Sequence, residues 1–316
     1  MNDIATVLPI ARYRLEFEVT SPLTLPPYAG STLRGAWGRA LRALSCLTRQ
    51  PTCDGCPLLH TCPYTAVFET RVLPGHPSPT LQGLIEVPRP YVLEPPTASK
   101  RHYRPGERLV FHTVLIGRRA LEHCSLVIQA HAQSFQQGVG KDRGTAELQR
   151  VVHEGLDERV VQEGAHGRLV DHIVKLPAPP GIARAARLSF YTPLRLQTNG
   201  HCATPTEFHA RKLLMALVRR VALLAEFHGA GPLAVDFKAL AWQAESIDSA
   251  TDLLWHDWSR WSGRQKRTMS LGGYLGEWRL TGDLGPFAVY LHFGQWLHVG
   301  KEATFGMGGY RLHVPA

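Results

Sequence analysis

From residue 11 to residue 20 apolar and polar positions alternate: Tyr13, Leu15, Phe17 and Val19 against Arg12, Arg14, Glu16 and Glu18. A period of two predicts a strand with one buried face. The period changes over 31–44, where Leu33, Trp37, Leu41 and Leu44 fall on one side of a helix. Residues 84–93 and 108–116 read as strands, 118–135 as a helix and 146–152 as a strand. The pattern starts afresh at Arg187. Residues 187–196 read as a strand. A helix over 206–228 follows, with Leu213, Leu214, Leu217, Val218, Val221, Leu224 and Ala225 at helical spacing and Gly229 and Gly231 as its stop. Residues 233–242 and 268–281 read as strands, 286–297 as a helix and 310–314 as a last strand. Each half therefore runs β-α-β-β-α-β, the ferredoxin-like order.

The length of 316 residues agrees, at about 150 residues per domain. The expected class is α+β, with two tandem ferredoxin-like domains. Residues 1–154 form the first, carrying a small cysteine-rich insertion at about 46–65. Residues 155–185 form a polar, Gly- and Pro-bearing linker, and 186–316 form the second domain. A short signature supports duplication: Val139-Gly140-Lys141-Asp142 and Val299-Gly300-Lys301-Glu302 each follow the second helix of their half.

Hydrophobic residues make up 44% and charged residues 19%, enough for two cores and against disorder. Lys plus Arg is 35 against 26 acidic residues, a net charge of +9, which favours a polyanionic partner. No apolar run approaches the roughly 18 residues that span a membrane. The first seven residues include Asp3 and lack a secretory pattern. A cytoplasmic location with no membrane partner is expected, and six cysteines there read as metal ligands or buried thiols.

The last helix and last strand are joined by His298-Val299-Gly300-Lys301-Glu302-Ala303-Thr304-Phe305-Gly306-Met307-Gly308-Gly309. Glycines permit positive φ and let a ligand approach the backbone, so the amides of Gly300, Gly306, Gly308 and Gly309 are expected to face phosphate oxygens, helped by Lys301 and Arg311. The loop follows a helix, unlike a dinucleotide fingerprint, and lacks the Gly-Lys-Ser/Thr end of a Walker loop. Upstream, Trp255, Trp258 and Trp261 stand among Arg260, Arg264, Lys266 and Arg267. Stacking rings interleaved with cations suit single-stranded RNA. Trp255 and Trp258 could equally be core.

Cys46, Cys53, Cys56 and Cys62 lie within 17 residues, and Cys53-Asp54-Gly55-Cys56 has the spacing of a thiolate knuckle. Four thiolates could close a structural zinc site; iron–sulfur ligation is the alternative, and His60 could replace one ligand. Such a site leaves no open position for metal-dependent hydrolysis. Cys124 and Cys202 stand alone and read as buried thiols.

Four stretches carry a resemblance: Pro27 to Gly38, Cys53 to Tyr64, Arg260 to Gly273 and Leu297 to Tyr310. With two ferredoxin-like halves and a glycine-rich loop before the final strand, the chain resembles the RAMP proteins of CRISPR systems, whose domains are RRM-like. More narrowly it resembles the CRISPR precursor-RNA-processing endoribonucleases. The resemblance implies binding of CRISPR repeat RNA and cleavage of precursor crRNA by attack of a ribose 2′-hydroxyl, giving a 2′,3′-cyclic phosphate with no catalytic cofactor. Many members of that family place a histidine in or just after the first helix, whereas residues 29–46 contain none. The candidates for catalysis are therefore His298, Arg34, Tyr28 and His60, with Arg39 and Arg42 on the Arg34 side of the helix as further RNA contacts. The departure keeps a second reading open: a catalytically silent RNA-binding subunit, partnered by other effector subunits.

Overall fold

The computed structural model describes residues 4–71, 87–97, 100–198, 200–262 and 267–315. The chain divides into two compact units, one of residues 2–177 with 223–232, the other of residues 178–222 with 233–316.

In the first unit β1 (Ile10–Val19) leads to α1 (Gly30–Ser45), the short α2 (Pro63–Val67), β2 (Tyr91–Glu94), β3 (Arg108–Ile116), α3 (Cys124–Gln136), β4 (Ala146–Glu154) and β5 (Glu158–Glu163). The sheet order is β2-β3-β1-β4-β5, every neighbouring pair antiparallel. The first four strands keep the ferredoxin-like order and β5 extends the edge beside β4. The alternation in β1 is real. Tyr13, Leu15, Phe17 and Val19 are buried with Trp37, Phe111 and Phe135 in the core, where the Phe17 and Phe135 rings lie 4.4 Å apart. The opposite face is a lattice of ion pairs. Arg12 binds Glu94 at 2.7 Å and also Glu154, while Arg14 binds Glu16 and Glu158, both at 3.0 Å. Arg108 and Arg150 close on Glu16. Burial raises the Glu16 carboxyl, but hydrogen bonds from Arg150, Arg14 and Arg108 outweigh it and hold the group below the usual carboxylate range.

In the second unit β6 (Ala185–Leu194) leads to α4 (Ala210–His228), α5 (Phe237–Glu245), β7 (Asp248–His256), the hairpin β8 (Ser259–Ser262) and β9 (Arg267–Ser270), β10 (Gly273–Thr281), α6 (Ala288–Leu297) and β11 (Tyr310–His313). The four-stranded order β7-β10-β6-β11 repeats the ferredoxin-like arrangement. Leu188, Phe190, Trp278, Leu280 and Tyr310 are buried, and the Tyr310 hydroxyl donates to the Leu291 carbonyl at 2.7 Å, tying β11 to α6. No described helix is long and apolar enough to cross a membrane.

Three expectations are corrected. Residues 237–245 form helix α5, not part of a strand over 233–242; the Asp236 side chain caps it, accepting the amides of Lys238 and Ala239 at 3.0 and 2.9 Å. The second strand of this half is β7 instead. The helix expected over 118–135 is two pieces, Arg118–Glu122 and α3. The span 155–185, expected as a linker, supplies β5. Of the strand expected over 84–93, residues 84–86 lie outside the described residues.

Candidate functional site

The glycine-rich loop closes across the end of β6. Gly300 bridges to Arg195, and the Lys301 amide donates to the Arg195 carbonyl at 2.8 Å. A short 3-10 turn follows over Ala303–Phe305, and Gly306 ends it at φ 85°. The Gly306 amide donates to Ala303 at 2.9 Å, Gly308 to Pro193 at 2.9 Å, and Val299 to Gly308 at 3.1 Å. The Gly309 amide donates to the Thr192 hydroxyl at 2.7 Å. These donors point into the protein, and residues 305–310 are all buried. The expectation that Gly306, Gly308 and Gly309 present amides to a phosphate is corrected: they are glycines because the turn is tight. At Gly308 (φ 72°) a Cβ would stand 1.8 Å from the Val299 carbonyl oxygen.

His298 is corrected in the same way. Its side chain is completely buried, its Nδ1 lies 3.1 Å from the Met307 carbonyl oxygen, and its ring sits edge-on to Tyr191 with centroids 6.3 Å apart. A group with no solvent access cannot meet a scissile phosphate in this loop conformation. The backbone at His298 has φ 57°, which glycine adopts more readily than other residues. His298 holds the two arms of the loop together.

What the loop leaves outside is charge. Lys301 and Arg311 are exposed, and the Arg311 guanidinium stands 5.9 Å from the Tyr191 ring centre. Arg311 pairs with Ser189 and His313 with Arg187 across β11 and β6, while Arg279 pairs with Arg187 across β10 and β6. Side chains directly opposite share a face. Arg187, Tyr191, Arg279, Arg311 and His313 therefore decorate one open face of the second sheet, and Arg187 and Arg279 share Glu277 at 3.2 and 2.6 Å. The alternation of Leu188 and Phe190 with Arg187, Ser189 and Tyr191 held that signal in the sequence. Of this set only Arg311 is expected from the sequence as an RNA contact.

The tryptophan-rich stretch forms the hairpin of β8 and β9, with Arg260 opposite Met269 and Arg267 opposite Ser262. Arg264 and Lys266 fall between the strands and lie outside the described residues. Trp258 is buried at the hairpin base, where its carbonyl accepts from Leu271 at 2.8 Å. Trp255 is 46% exposed, packed edge-on to Tyr274. The two tryptophans thus divide between core and surface.

The first-half candidates sit on and after α1. The Arg34 Nε donates to the Tyr91 hydroxyl at 2.6 Å, and its guanidinium lies 4.3 Å from the Phe68 ring centre. That aromatic stacking gives it a packing role. Arg39 is exposed. Arg42 donates to the Pro51 carbonyl at 2.9 Å and to Gln50, pinning the loop after α1. Tyr28 is half-buried just before α1, and His60 is exposed, its carbonyl accepting from Arg119 at 2.8 Å. The four clustered cysteines line one small cavity with Arg42 and Tyr64. Cys124 is buried as expected, but Cys202 only partly.

Residues 188–310 match the family model of the CRISPR-associated endoribonuclease Cas6, and residues 8–173 match the N-terminal domain family AF_1859_N. No curated protein matches the sequence. Among solved structures, the product complex of Cas6 (TTHB231) superposes with a TM-score of 0.57 at 16% identity, over 96% of this chain and 100% of that one. The Thermus thermophilus Cas6 (TTHB231) gives a TM-score of 0.54 at 15% identity, over 97% of this chain and 99% of that one. A partial Cas6-RT-Cas1–Cas2 complex gives 0.56 at 13% identity over 98% of this chain; the chain spans 46% of that relative, and 29% of a second such complex. These likenesses show the fold, two ferredoxin-like halves in tandem. The match over residues 8–173, more than half of the chain, places it in the N-terminal domain family AF_1859_N, and its second half is similar to the CRISPR-associated endoribonuclease family Cas6.

Proposed function

We propose that this chain binds CRISPR repeat RNA and cleaves precursor crRNA within the repeat, without a catalytic metal. The family match over 188–310 carries the reading, because that span contains the glycine-rich loop with Lys301, and Tyr191 and Arg279 of the basic sheet face. In the reaction a ribose 2′-oxygen bonds to the adjacent phosphorus as the bond to the 5′-oxygen breaks. A base takes the 2′-hydroxyl proton, an acid returns one to the leaving oxygen, and cations stabilise the charge that develops on phosphorus. Arg187, Arg279, Arg311 and Lys301 are exposed cations able to hold the strand, and Tyr191 offers a ring for a base to stack on. With His298 sealed inside, the proton-transfer candidates narrow to Tyr28 and His60.

One observation favours the second reading, a silent RNA-binding subunit: α1 carries no histidine and the loop histidine is buried. Incubating end-labelled repeat RNA with the purified chain in excess EDTA separates the two. Cleavage to a product ending in a 2′,3′-cyclic phosphate is expected. Stable binding without that product would leave the silent subunit as the correct reading.

A further inference from the structure

Cys46, Cys53, Cys56 and Cys62 converge from separate places in the chain. Cys46 is the C-cap of α1 and Cys62 the N-cap of α2, while Cys53 and Cys56 bracket a turn that Gly55 makes at φ 71°. All four line one cavity of about 20 Å³, room for a single small ion or one water. The rest of its lining is Arg42, Leu47, Thr48, Thr52, Leu58, Tyr64 and Thr65, with no carboxylate and no imidazole among the described residues. His60 is outside this lining, so the donors that line the cavity are sulfur alone; the Glu69 carboxylate meets the Cys53 thiol from outside it.

The thiols approach one another through shared neighbours. The Thr48 hydroxyl lies 3.5 Å from the Cys56 sulfur and 3.9 Å from that of Cys46. The Cys62 sulfur lies 4.0 Å from the Ser45 carbonyl, next to Cys46 in the chain. All four cysteines are free of disulfides. Between α1 and α2 the backbone is held by turns, such as Cys56 to Cys53 at 3.3 Å and Leu59 to Cys56 at 3.1 Å. Among the described residues no three His, Cys, Asp or Glu side chains are already gathered about one point.

We propose that Cys46, Cys53, Cys56 and Cys62 bind one zinc ion as a closed tetrathiolate site that fastens the loop 46–62 between α1 and α2. Sulfur-only, four-coordinate sites suit zinc, and with every position filled by protein the role is structural. Binding replaces four S–H bonds by four Zn–S bonds and releases four protons, so occupancy falls as pH falls. The proposal is independent of RNA cleavage.

The test is metal analysis of the full chain purified from zinc-supplemented cells, followed by exchange with cobalt(II). About one zinc per chain and a sulfur-to-cobalt charge-transfer band are expected. Replacing Cys124 and Cys202 by Ser should leave the stoichiometry unchanged, and Cys53→Ser with Cys56→Ser should remove most of the metal. A wild-type chain that carries no stoichiometric zinc and shows no thiolate–cobalt band would overturn the proposal, whether or not the serine variants fold. An iron–sulfur chromophore after anaerobic purification would overturn it equally.

Discussion

Substituting the loop glycines should separate a tight turn from a phosphate cradle. Gly308 has φ 72°, where an L-residue costs roughly 1–2 kcal/mol. An alanine Cβ there would stand 1.8 Å from the Val299 oxygen, a contact with backbone that no rotamer relieves. Moving the backbone loosens the bonds from Gly308 to Pro193 and from Val299 to Gly308, at about 1 kcal/mol each. Gly308→Ala should therefore cost about 3–4 kcal/mol. Gly306 carries the φ penalty at 85°, so Gly306→Ala should cost roughly 1–2 kcal/mol. Gly309 needs no positive φ, and its added Cβ meets side-chain atoms, His298 Cε1 at 2.7 Å and the Tyr191 hydroxyl at 2.9 Å. Gly309→Ala should cost about 1–2 kcal/mol through overpacking. Urea unfolding of the three variants, with repeat-RNA affinity measured on each in its folded range, reads both quantities. Affinity should fall only as stability falls, with Gly308→Ala worst. If Gly308→Ala unfolds within about 0.5 kcal/mol of the wild type yet loses RNA, the amides face the ligand and this reasoning is wrong.

Alanine at Lys301, Arg187, Arg279 or Arg311 should weaken repeat-RNA binding without lowering the melting temperature, and each should flatten the slope of log affinity against log salt by roughly 0.7; unchanged slopes would remove the sheet face from the interface. His298→Ala should destabilise by about 2–4 kcal/mol through the void and the lost contact with Met307, seen as a lower melting temperature, whereas wild-type stability with abolished cleavage would restore His298 as an acid or base. Acid should weaken the first unit before its carboxylates titrate. His131 is buried 3.0 Å from the Thr113 hydroxyl and stacked on Trp37, and burial holds its imidazole down at about 3. Because the folded value is depressed, its contribution is complete above about pH 6.5 and is lost as pH falls toward 3, by about 2 kcal/mol at pH 5. Denaturant unfolding at pH 7.5 and pH 5 should show this loss, reduced in His131→Gln.

The fold was legible where one face is wet and the other dry. The alternation at 11–20 is β1, and the strand expected over 108–116 is β3. It was illegible where that contrast fails. In β7 nearly every residue is exposed, Leu254 at 76%, so no period of two marks it. The run Leu233-Ala234-Val235 looked like a strand because short apolar runs carry no period of their own, and the Asp236 cap was the overlooked signal. The glycine-rich loop was legible in place and not in direction. Its amides turn inward because Thr192, Pro193 and Arg195, more than a hundred residues earlier, supply the acceptors. Nothing local in residues 298–311 records that.

The two halves repeat one topology yet offer opposite surfaces, and charge pairing explains why. The outer face of the first sheet holds Arg12, Arg14, Arg108 and Arg150 against Glu16, Glu94, Glu154 and Glu158. A phosphate arriving there would have to displace carboxylates already bound, exchanging one ion pair for another with little gain. On the second sheet Arg187 and Arg279 share Glu277, and Arg311 lies over Tyr191 beside them. That carboxylate cannot neutralise both arginines, so counterions must make up the balance, and their release is what drives a polyanion onto such a face. Glu277→Gln should then tighten repeat-RNA binding, while Glu154→Gln should leave binding alone and lower stability. Equal effects of both changes on RNA affinity would show that the charge excess, and with it the interface, is not confined to the second sheet.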